Sequence, residues 1–287
     1  MLRALTSGVS GIQQFQNSLD VIGNNIANSN TIAFKSARTD FADAFSQTLQ
    51  VSSASSSGSG QAGMQVGSGV TTSAVKNVFT QGALNRTGVG TDLAIDGDGF
   101  FMVKDPVSGV QYATRAGDFH LDGNNYLVTT KGLRVQGFEV AASGTRGDIR
   151  IDAATAPATV TPGSIMSTFS INKDGSVWVN MSDGTSFQRA NLLLQRFSDP
   201  QALLKQGDNL FSGIGAAGPL GGTASPQSEL PNTLGLGAIQ SSSLELSNVD
   251  LANEFANLIT AQRGFQASAR IITTSDEILQ ELVNLKR

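Results

Sequence analysis

Apolar residues recur every seven positions at both ends of this 287-residue chain, and this repeat limits the possible folds more than any other feature. A seven-residue repeat is typical of a long helix that packs along one side against another helix. No proline interrupts the C-terminal pattern, which predicts a helix of about 35 residues. The predicted seam consists of Leu5, Ile12, Leu19 and Ile26 near the N-terminus, and of Leu251, Leu258, Phe265, Ile272 and Leu279 near the C-terminus.

The C-terminal helix has a recognisable start. Ser247 and Asp250 have the spacing of a capping box, in which the first residue caps the helix and the acidic residue lies three positions later. So long an apolar stripe is stable only where another surface buries it. We therefore expect the terminal helices to pair with each other and with neighbouring copies of the chain. The alternative is two ordinary amphipathic helices packed on the central domain.

Between the helices the apolar pattern changes to a period of two, interrupted by Asp-Gly and similar turns. Residues 93–103, 119–128 and 169–179 each have the pattern of a strand, a tight turn and a second strand. The predicted fold is a mainly β central domain, an antiparallel sandwich or meander of hairpins. Together with a coiled-coil-like rod of long N- and C-terminal helices, it makes the chain α+β overall.

These patterns divide the chain into three parts. Residues 1–30 and 248–287 form a discontinuous helical core domain, and residues 76–247 form a β-rich domain. Residues 31–75 are expected to be a linker or extended segment, because residues 52–60 are almost entirely Ser and Gly and cannot support a packed core.

Composition excludes several classes of function. A net charge of −4 offers no basic surface for nucleic acid. The chain has no cysteine and a single histidine, which excludes thiol nucleophiles, Cys-based zinc sites and sites built on several histidines. No motif supports a secreted hydrolase or a ligand-binding module, the two alternatives to a structural protein. We expect no enzymatic activity and no cofactor.

The sequence also bears on membrane insertion and secretion. No run of about 18 apolar residues predicts a membrane span. The first residues lack a continuous apolar segment and a small-residue cleavage site, so we expect no cleaved signal peptide.

Two polar groups allow alternative interpretations. Asp92, Asp96 and Asp98 could bind calcium, but residues 96–99 (Asp-Gly-Asp-Gly) are more simply a turn that needs positive φ angles. The second group lies where the first helix should end. These asparagines either terminate the helix or donate amide hydrogen bonds to a neighbouring subunit; they are Asn24, Asn25 and Asn28.

Motifs at the start, middle and end of the chain resemble those of the bacterial flagellar rod and hook axial proteins. They lie in residues 20–35, 81–101, 114–119, 244–250 and 262–279. The residues that carry the resemblance are Asn24, Asn25, Asn28, Phe34, Lys35, Asp92, Gly97, Gly99, Phe100, Asn248, Asp250, Gln262 and Arg263. Position 33 departs from the pattern, since it is Ala where the family often has Gly, and this weighs against a left-handed turn there.

The resemblance implies an inner helical domain, called D0, around a central channel and an outer β domain, called D1. Family members are exported by the flagellar type III apparatus without a cleaved signal, polymerise helically outside the inner membrane and transmit motor torque. The implied location is the extracellular hook or basal body of the flagellum. The implied partners are many copies of the chain, the distal rod protein at the base, and the hook cap and hook–filament junction proteins at the tip.

Within the family, residues 41–43, 46–49 and 271–287 most resemble the hook subunits in their short form, which build a universal joint. The chain leaves little room for the further outer domain, D2, of many hook subunits. Its length therefore also suits the straight and rigid distal rod subunit. The sequence favours the hook, with the distal rod as the alternative.

Overall fold

A computed structural model describes residues 2–52, 62–140, 146–152, 164–220, 230–232 and 235–285. The chain forms two compact units. The first, which we call the helical unit, comprises Met1–Ser29, Ser36–Val78 and Val249–Arg287. The second, the β unit, comprises Asn30–Lys35 and Phe79–Asn248.

The helical unit contains two long helices from opposite ends of the chain. Helix α1 covers Leu2–Ala27, and helix α2 covers Leu251–Leu285, which is 35 residues as the repeat predicted. In the described part of the chain, neither helix combines the length and the apolar character that crossing a membrane would need.

Helix α2 is capped by Asp250, whose Oδ1 accepts hydrogen bonds from the backbone amides of Ala252 (2.9 Å) and Asn253 (3.3 Å). Asp250 is thus the N-cap itself. The predicted capping box, with Ser247 as the cap, is wrong because the helix begins at Leu251, directly after the aspartate.

Four strands of the helical unit occupy much of the expected linker. They are β1 (Ala37–Asp43), β2 (Ser46–Gln50), β3 (Met64–Gly67) and β4 (Val70–Asn77). β1 pairs with β4, and β2 pairs with β3, both antiparallel. Of the linker or extended segment expected at 31–75, only the plain linker is corrected, because alternating Thr, Val and Phe residues on both sides of the Ser- and Gly-rich run pair as extended strands. Most of that run, residues 53–60, lies outside the described residues.

The β unit is built from antiparallel strands. In the described residues, twelve of them join one sheet whose main path is β13-β14-β15-β11-β7-β8-β18-β17, and smaller pairs are β5 with β20 and β6 with β19. The strands are β5 (Leu84–Arg86), β6 (Leu93–Asp96), β7 (Phe100–Lys104), β8 (Gln111–Thr114), β9 (Phe119–Leu121), β10 (Leu127–Thr129), β11 (Arg134–Glu139), β12 (Arg146–Asp148), β13 (Met166–Ile171), β14 (Ser176–Met181), β15 (Ser186–Leu192), β16 (Leu194–Gln195), β17 (Leu204–Gly207), β18 (Leu210–Ser212), β19 (Ala238–Ser241) and β20 (Ser243–Glu245).

Two of the three predicted hairpins are present. β9 pairs with β10, and β13 pairs with β14. The hairpin predicted at residues 93–103 is wrong, since β6 pairs with β19 while β7 pairs with β8, β11 and β16. Gly97 and Gly99 do adopt positive φ angles (119° and 137°). A Cβ on Gly97 would lie 2.9 Å from the Cα of Gly237, so this turn packs against another backbone.

Two clusters of buried side chains form the core of the β unit. The larger one includes Leu93, Phe101, Val135, Val177 and Leu192. The smaller one surrounds the buried ring of Phe100, which contacts three other aromatic rings in edge-on geometry: Phe79, Phe197 and Phe211. The mainly antiparallel β architecture with two terminal helices confirms the predicted fold class.

Gly117 tests how closely two backbone segments approach in the β unit. A Cβ at this position would collide with the carbonyl oxygen of Leu93, which is backbone and cannot rotate away. Gly117→Ala should lower the free energy of unfolding of the β unit by about 2–4 kcal/mol. Urea unfolding followed by the fluorescence of Trp178, the chain's single tryptophan, measures this change.

The matched control is Gly147→Ala. Gly147 lies in β12, and a Cβ there would meet nothing within 4 Å. Its free energy of unfolding should change by less than about 1 kcal/mol. Equal effects of the two alanines would contradict the close approach at Gly117.

Candidate functional site

The seam between α1 and α2 is built from small residues. On α2 the buried side chains are Ala261, Ser268 and Ser275, spaced by seven. Each follows a predicted seam residue by three positions, which is the spacing between the two inner positions of a heptad. Small side chains at one inner position allow the two helix backbones to approach closely.

Glycines on both helices mark the same seam. A Cβ on Gly8 would lie 3.1 Å from Cγ1 of Ile272, and a Cβ on Gly11 would lie 2.9 Å from Oγ of Ser268. A Cβ on Gly264 would collide with the ring of Phe15. Along α1 the contacts run from Gly8 to Phe15, while along α2 they run backwards from Ile272 to Gly264. The two helices are therefore antiparallel.

The predicted seam residues lie beside this line. Eight are half-buried: Leu5, Ile12, Leu19, Ile26, Leu258, Phe265, Ile272 and Leu279. Leu251 is exposed. Sequence reasoning followed large apolar residues and missed the small ones, although Ala261, Ser268 and Ser275 keep the same period. The role of the predicted residues in assembly remains a proposal.

Other large apolar residues of α2 are exposed in the single chain. Five large side chains are between 46% and 57% exposed: Phe255, Ile259, Ile271, Ile278 and Leu282. Exposed apolar side chains repeated along one helix are typical of a surface that packs against another protein.

Asn25 is the one asparagine of the first motif that is buried. Its amide forms two hydrogen bonds with the backbone of Ala37 in β1, donating from Nδ2 to the carbonyl oxygen (2.8 Å) and accepting at Oδ1 from the amide (3.0 Å). Nδ2 also donates to Oε1 of Glu254 at 3.2 Å. Asn25 thus ties α1 to β1 and α2 within one chain, a role that neither sequence interpretation included. Asn28 instead donates to the carbonyl oxygen of Asn24 at 2.9 Å, which fits the end of a helix.

Glu254 lies in the first turn of α2, beside this asparagine. Burial raises the pKa of its carboxyl group, and the charge of Asp250 adds to the shift, while the hydrogen bond from Asn25 opposes it. The helical unit therefore holds a carboxylate that is more costly to ionise in the folded chain than in the unfolded one.

The β unit contains a buried ion cluster that we call the junction cluster: Lys35, Arg115 and Glu245. Lys35 Nζ donates to Glu245 Oε1 at 2.6 Å and to the carbonyl oxygen of Thr80 at 2.7 Å. Arg115 Nη1 lies 3.6 Å from Glu245 Oε2. The ion-pairing side chains of Lys35 and Glu245 are fully buried.

Burial lowers the pKa values of Lys35 and Arg115, and the charge of Glu245 opposes both shifts. Glu245 Oε1 also accepts a hydrogen bond from the backbone amide of Gly82 at 2.8 Å. One carboxylate therefore faces two cations and one amide.

The turn before Lys35 is packed into the same place. Ala33 is buried, has a φ angle of 55° and donates its amide to the carbonyl oxygen of Glu245 at 2.8 Å. The left-handed turn is thus present without glycine, contrary to the expectation from position 33. The ring of Phe34 is buried under the ammonium of Lys205, which lies 4.6 Å from its centroid.

Two further motif residues, Asp92 and Phe100, have contacts within the β unit. Asp92 Oδ2 accepts from Thr87 Oγ1 at 2.5 Å, and the guanidinium of Arg115 lies 5.2 Å from the ring centroid of Phe100. Gln262 and Arg263 are exposed on α2. In the described ranges, no group of three or more His, Cys, Asp or Glu residues could hold a metal ion.

Comparison with known proteins places these features in a family. Three family models match: "Flagella basal body rod protein" at residues 5–35, "Flagellar hook protein FlgE/F/G D1 domain" at residues 94–179 and "Flagellar basal body rod FlgEFG protein C-terminal" at residues 240–285. The flagellar basal-body rod protein FlgG of Bacillus subtilis (strain 168) is 43% identical over 288 residues, covering 100% of both chains. The chain belongs to the flagellar rod and hook protein family.

Two further relatives come from one bacterium, Borreliella burgdorferi. Its flagellar basal-body rod protein FlgG is 32% identical to this family member over 291 residues, and its flagellar hook protein FlgE is 26% identical over 451 residues. Both alignments cover 100% of each chain. The family is one of structural proteins of the flagellum, and the relatives named here are not enzymes.

Gly11 tests the close helix pairing in this rod and hook family member. Gly11→Leu places a branched side chain against Ser268 and should weaken the pairing by about 1–3 kcal/mol. Thermal unfolding monitored by circular dichroism at 222 nm should show an earlier loss of helix.

Gly23→Leu is the matched control on the same helix, because a Cβ at Gly23 would meet nothing within 4 Å. The melting temperature of the helices should be unchanged or slightly raised in this variant, since leucine favours helix over glycine. An earlier loss of helix in both variants would be inconsistent with a seam at Gly11.

Glu254 gives the helical unit a pH dependence. The folded chain binds this proton more tightly than the unfolded chain, so the contribution of Glu254 to stability grows as the pH falls through its raised pKa toward 4.5, its ordinary value. Glu254→Gln removes this dependence and keeps an acceptor for Asn25. The gain in helix melting temperature between pH 7 and 4.5 should be smaller in the variant than in the unsubstituted protein, and identical pH profiles would refute the assignment.

Proposed function

We propose that this protein is the subunit of the flagellar distal rod, a straight tube that transmits torque from the motor. The proposal rests on the full-length similarity to a protein named FlgG, at 43% identity over 288 residues. The sequence analysis favoured the hook and kept the rod as its alternative. The comparisons favour the rod.

The alignment lengths support this choice. Alignment with the B. burgdorferi rod protein needs 291 positions, close to the 287 residues of this chain. Alignment with the hook protein of the same organism needs 451 positions, so that hook protein carries a large additional segment. The 287 residues fill at most 287 of those 451 positions, so the additional segment has no counterpart in the aligned sequence.

The helical unit supports a polymer. Helix α2 buries only small residues in its seam with α1 and leaves large apolar side chains exposed. Because each of these side chains is already about half covered, covering the rest contributes roughly half of the 1.5–3 kcal/mol of a full burial. We infer that neighbouring copies pack against these side chains and form the inner wall of a tube.

The strands of the helical unit support rigidity. A hook must let subunits slide past one another, whereas a rod needs contacts that prevent sliding. The paired strands β2 and β3 carry exposed apolar side chains, among them Leu49, Met64 and Val66, and provide contact area where a plain linker would offer none. We propose that they help to lock neighbouring copies.

The proposal extends to location and partners. The subunit would be exported by the flagellar type III apparatus without a cleaved signal and would polymerise in the basal body. The hook would then continue the tube, and the hook protein would be the partner at its distal end. The hook cap and junction proteins would contact the hook instead.

Electron microscopy of the purified protein at high concentration tests the proposal. We expect the unsubstituted chain to form straight tubes and a chain lacking residues 251–285 to form none. Curved tubes would support a hook subunit instead, and a persistent monomer would refute polymerisation.

A point variant separates polymer contacts from folding. Phe255→Ser should abolish or strongly slow tube formation, because the side chain is exposed in the single chain. Glu281→Ser, also at an exposed position of α2, is the control and should still form tubes. Trp178 fluorescence should show a folded β unit in both. Normal tubes from Phe255→Ser would remove this residue from the proposed contact.

A further inference from the structure

The chain passes between the helical unit and the β unit at four positions. These lie between residues 29 and 30, 35 and 36, 78 and 79, and 248 and 249. Close to three of them, within the β unit, lie Lys35, Thr80 and Asn248. They are far apart in sequence, but the β unit brings them together.

Direct hydrogen bonds connect these three residues. Lys35 Nζ donates to the carbonyl oxygen of Thr80 at 2.7 Å. Asn248 Nδ2 donates to the same carbonyl oxygen at 3.2 Å and to Thr80 Oγ1 at 2.9 Å. The backbone amide of Asn248 donates to the carbonyl oxygen of Phe34 at 3.3 Å. Each of the three crossing segments is thus bonded to the other two.

Glu245 anchors this arrangement in the sheet. It lies in β20, which pairs with β5, and its backbone carbonyl accepts from Ala33 at 2.8 Å. Its carboxylate accepts from Lys35 at 2.6 Å and from the amide of Gly82 at 2.8 Å. The same residue therefore holds the segment that enters at Asn30 and the segment that follows Phe79.

A buried ion pair adds little net stability, because the cost of removing both charges from water offsets most of their attraction. It does fix the positions of its partners, since a displaced partner would leave a buried charge without compensation. Here the ion pair fixes the positions of three separate segments within the β unit, close to where the chain crosses into the helical unit.

We propose that Lys35, Glu245 and Asn248 form a clamp that holds the crossing segments as one mechanical element, so that load on one segment is shared by the other two. Its mechanical role rests on the proposed function as a torque-transmitting rod. The clamp itself is a property of the single chain and can be tested without a polymer.

Lys35→Met is the principal variant. Because the cluster has two cations for one carboxylate, methionine leaves Arg115 and Glu245 as a neutral pair and retains most of the side-chain volume. Amide hydrogen exchange of the full chain, resolved by peptides, should accelerate at residues 32–36, 80–84 and 244–249 together. The expected factor is roughly tenfold to a hundredfold, which corresponds to the loss of charge-assisted hydrogen bonds.

Arg189→Met is the matched control. Arg189 forms a buried ion pair with Asp152 in the same β unit, with Nε and Oδ1 3.1 Å apart and both side chains below 10% exposed. It lies in β15, outside the three crossing segments. It should accelerate exchange near its own strands and leave the crossing segments unchanged.

The pattern of exchange decides the outcome. Acceleration of residues 32–36 alone in Lys35→Met would overturn the clamp, because it would show a local contact. Equal acceleration of all three segments in Arg189→Met would overturn it as well, because it would show general loosening of the β unit.

A second variant keeps the test informative if Lys35→Met does not fold. Asn248→Ala removes the side-chain bonds to Thr80 and leaves the three charges in place. It should accelerate exchange in the same three segments by a smaller factor. Unchanged exchange at residues 32–36 and 80–84 would contradict the proposal.

The mechanical role has a separate measurement. Tubes assembled from Lys35→Met should bend more than tubes of the unsubstituted chain, measured as a shorter persistence length in electron micrographs. Coupled exchange with unchanged tube stiffness would retain the clamp and refute its mechanical role. Curved or absent tubes from the unsubstituted chain would refute the proposed function and leave the exchange result standing.

Discussion

The antiparallel pairing of α1 with α2 is the constraint on which the helical unit depends. The helices come from opposite ends of the sequence, so the whole β unit is inserted between two partners that must meet. Gly8, Gly11 and Gly264 let the backbones approach, and Ser268 occupies the seam between them. Because small residues fill the innermost positions of the seam, other large apolar side chains of α2 stay exposed in the single chain. The same choice that brings the ends together thus creates the surface available to other copies.

The junction cluster solves a different problem in the β unit. An apolar group at Lys35 could contribute as much stability, since removing two charges from water is costly. An apolar group could not donate or accept hydrogen bonds, which have defined directions. Lys35 reaches both a carboxylate and the carbonyl of Thr80, and Glu245 reaches both a side chain and the amide of Gly82. Directional bonds of this kind specify a unique arrangement of segments whose backbones would otherwise have several ways to pack.

The sequence predicted what depends on local periodicity and missed what depends on distant partners. The seven-residue repeat predicted the length of α2, and the period of two predicted the β unit and two hairpins. The turn at Gly97 was misread because its partner, Gly237, lies far along the chain. Family resemblance marked Asn25 and Lys35 as important, but no periodicity links Lys35 to Glu245, 210 residues away. The strands β1 to β4 were hidden by the Ser- and Gly-rich run between them.

In the proposed distal rod, stiffness depends on the contacts between neighbouring copies. A tube bends when subunits on its inner side shorten their contacts and those on its outer side lengthen them. Helices that present an apolar surface tolerate such sliding, because apolar contact has little directional preference. β1 to β4 pair within one chain, and a shift by one residue in either pair would move every side chain of a strand to the opposite face, so the strands hold their exposed side chains at fixed positions. In the proposed rod, fixed side chains such as Leu49, Met64 and Val66 would give neighbouring copies a defined surface to dock against, and defined contacts resist the sliding that bending requires.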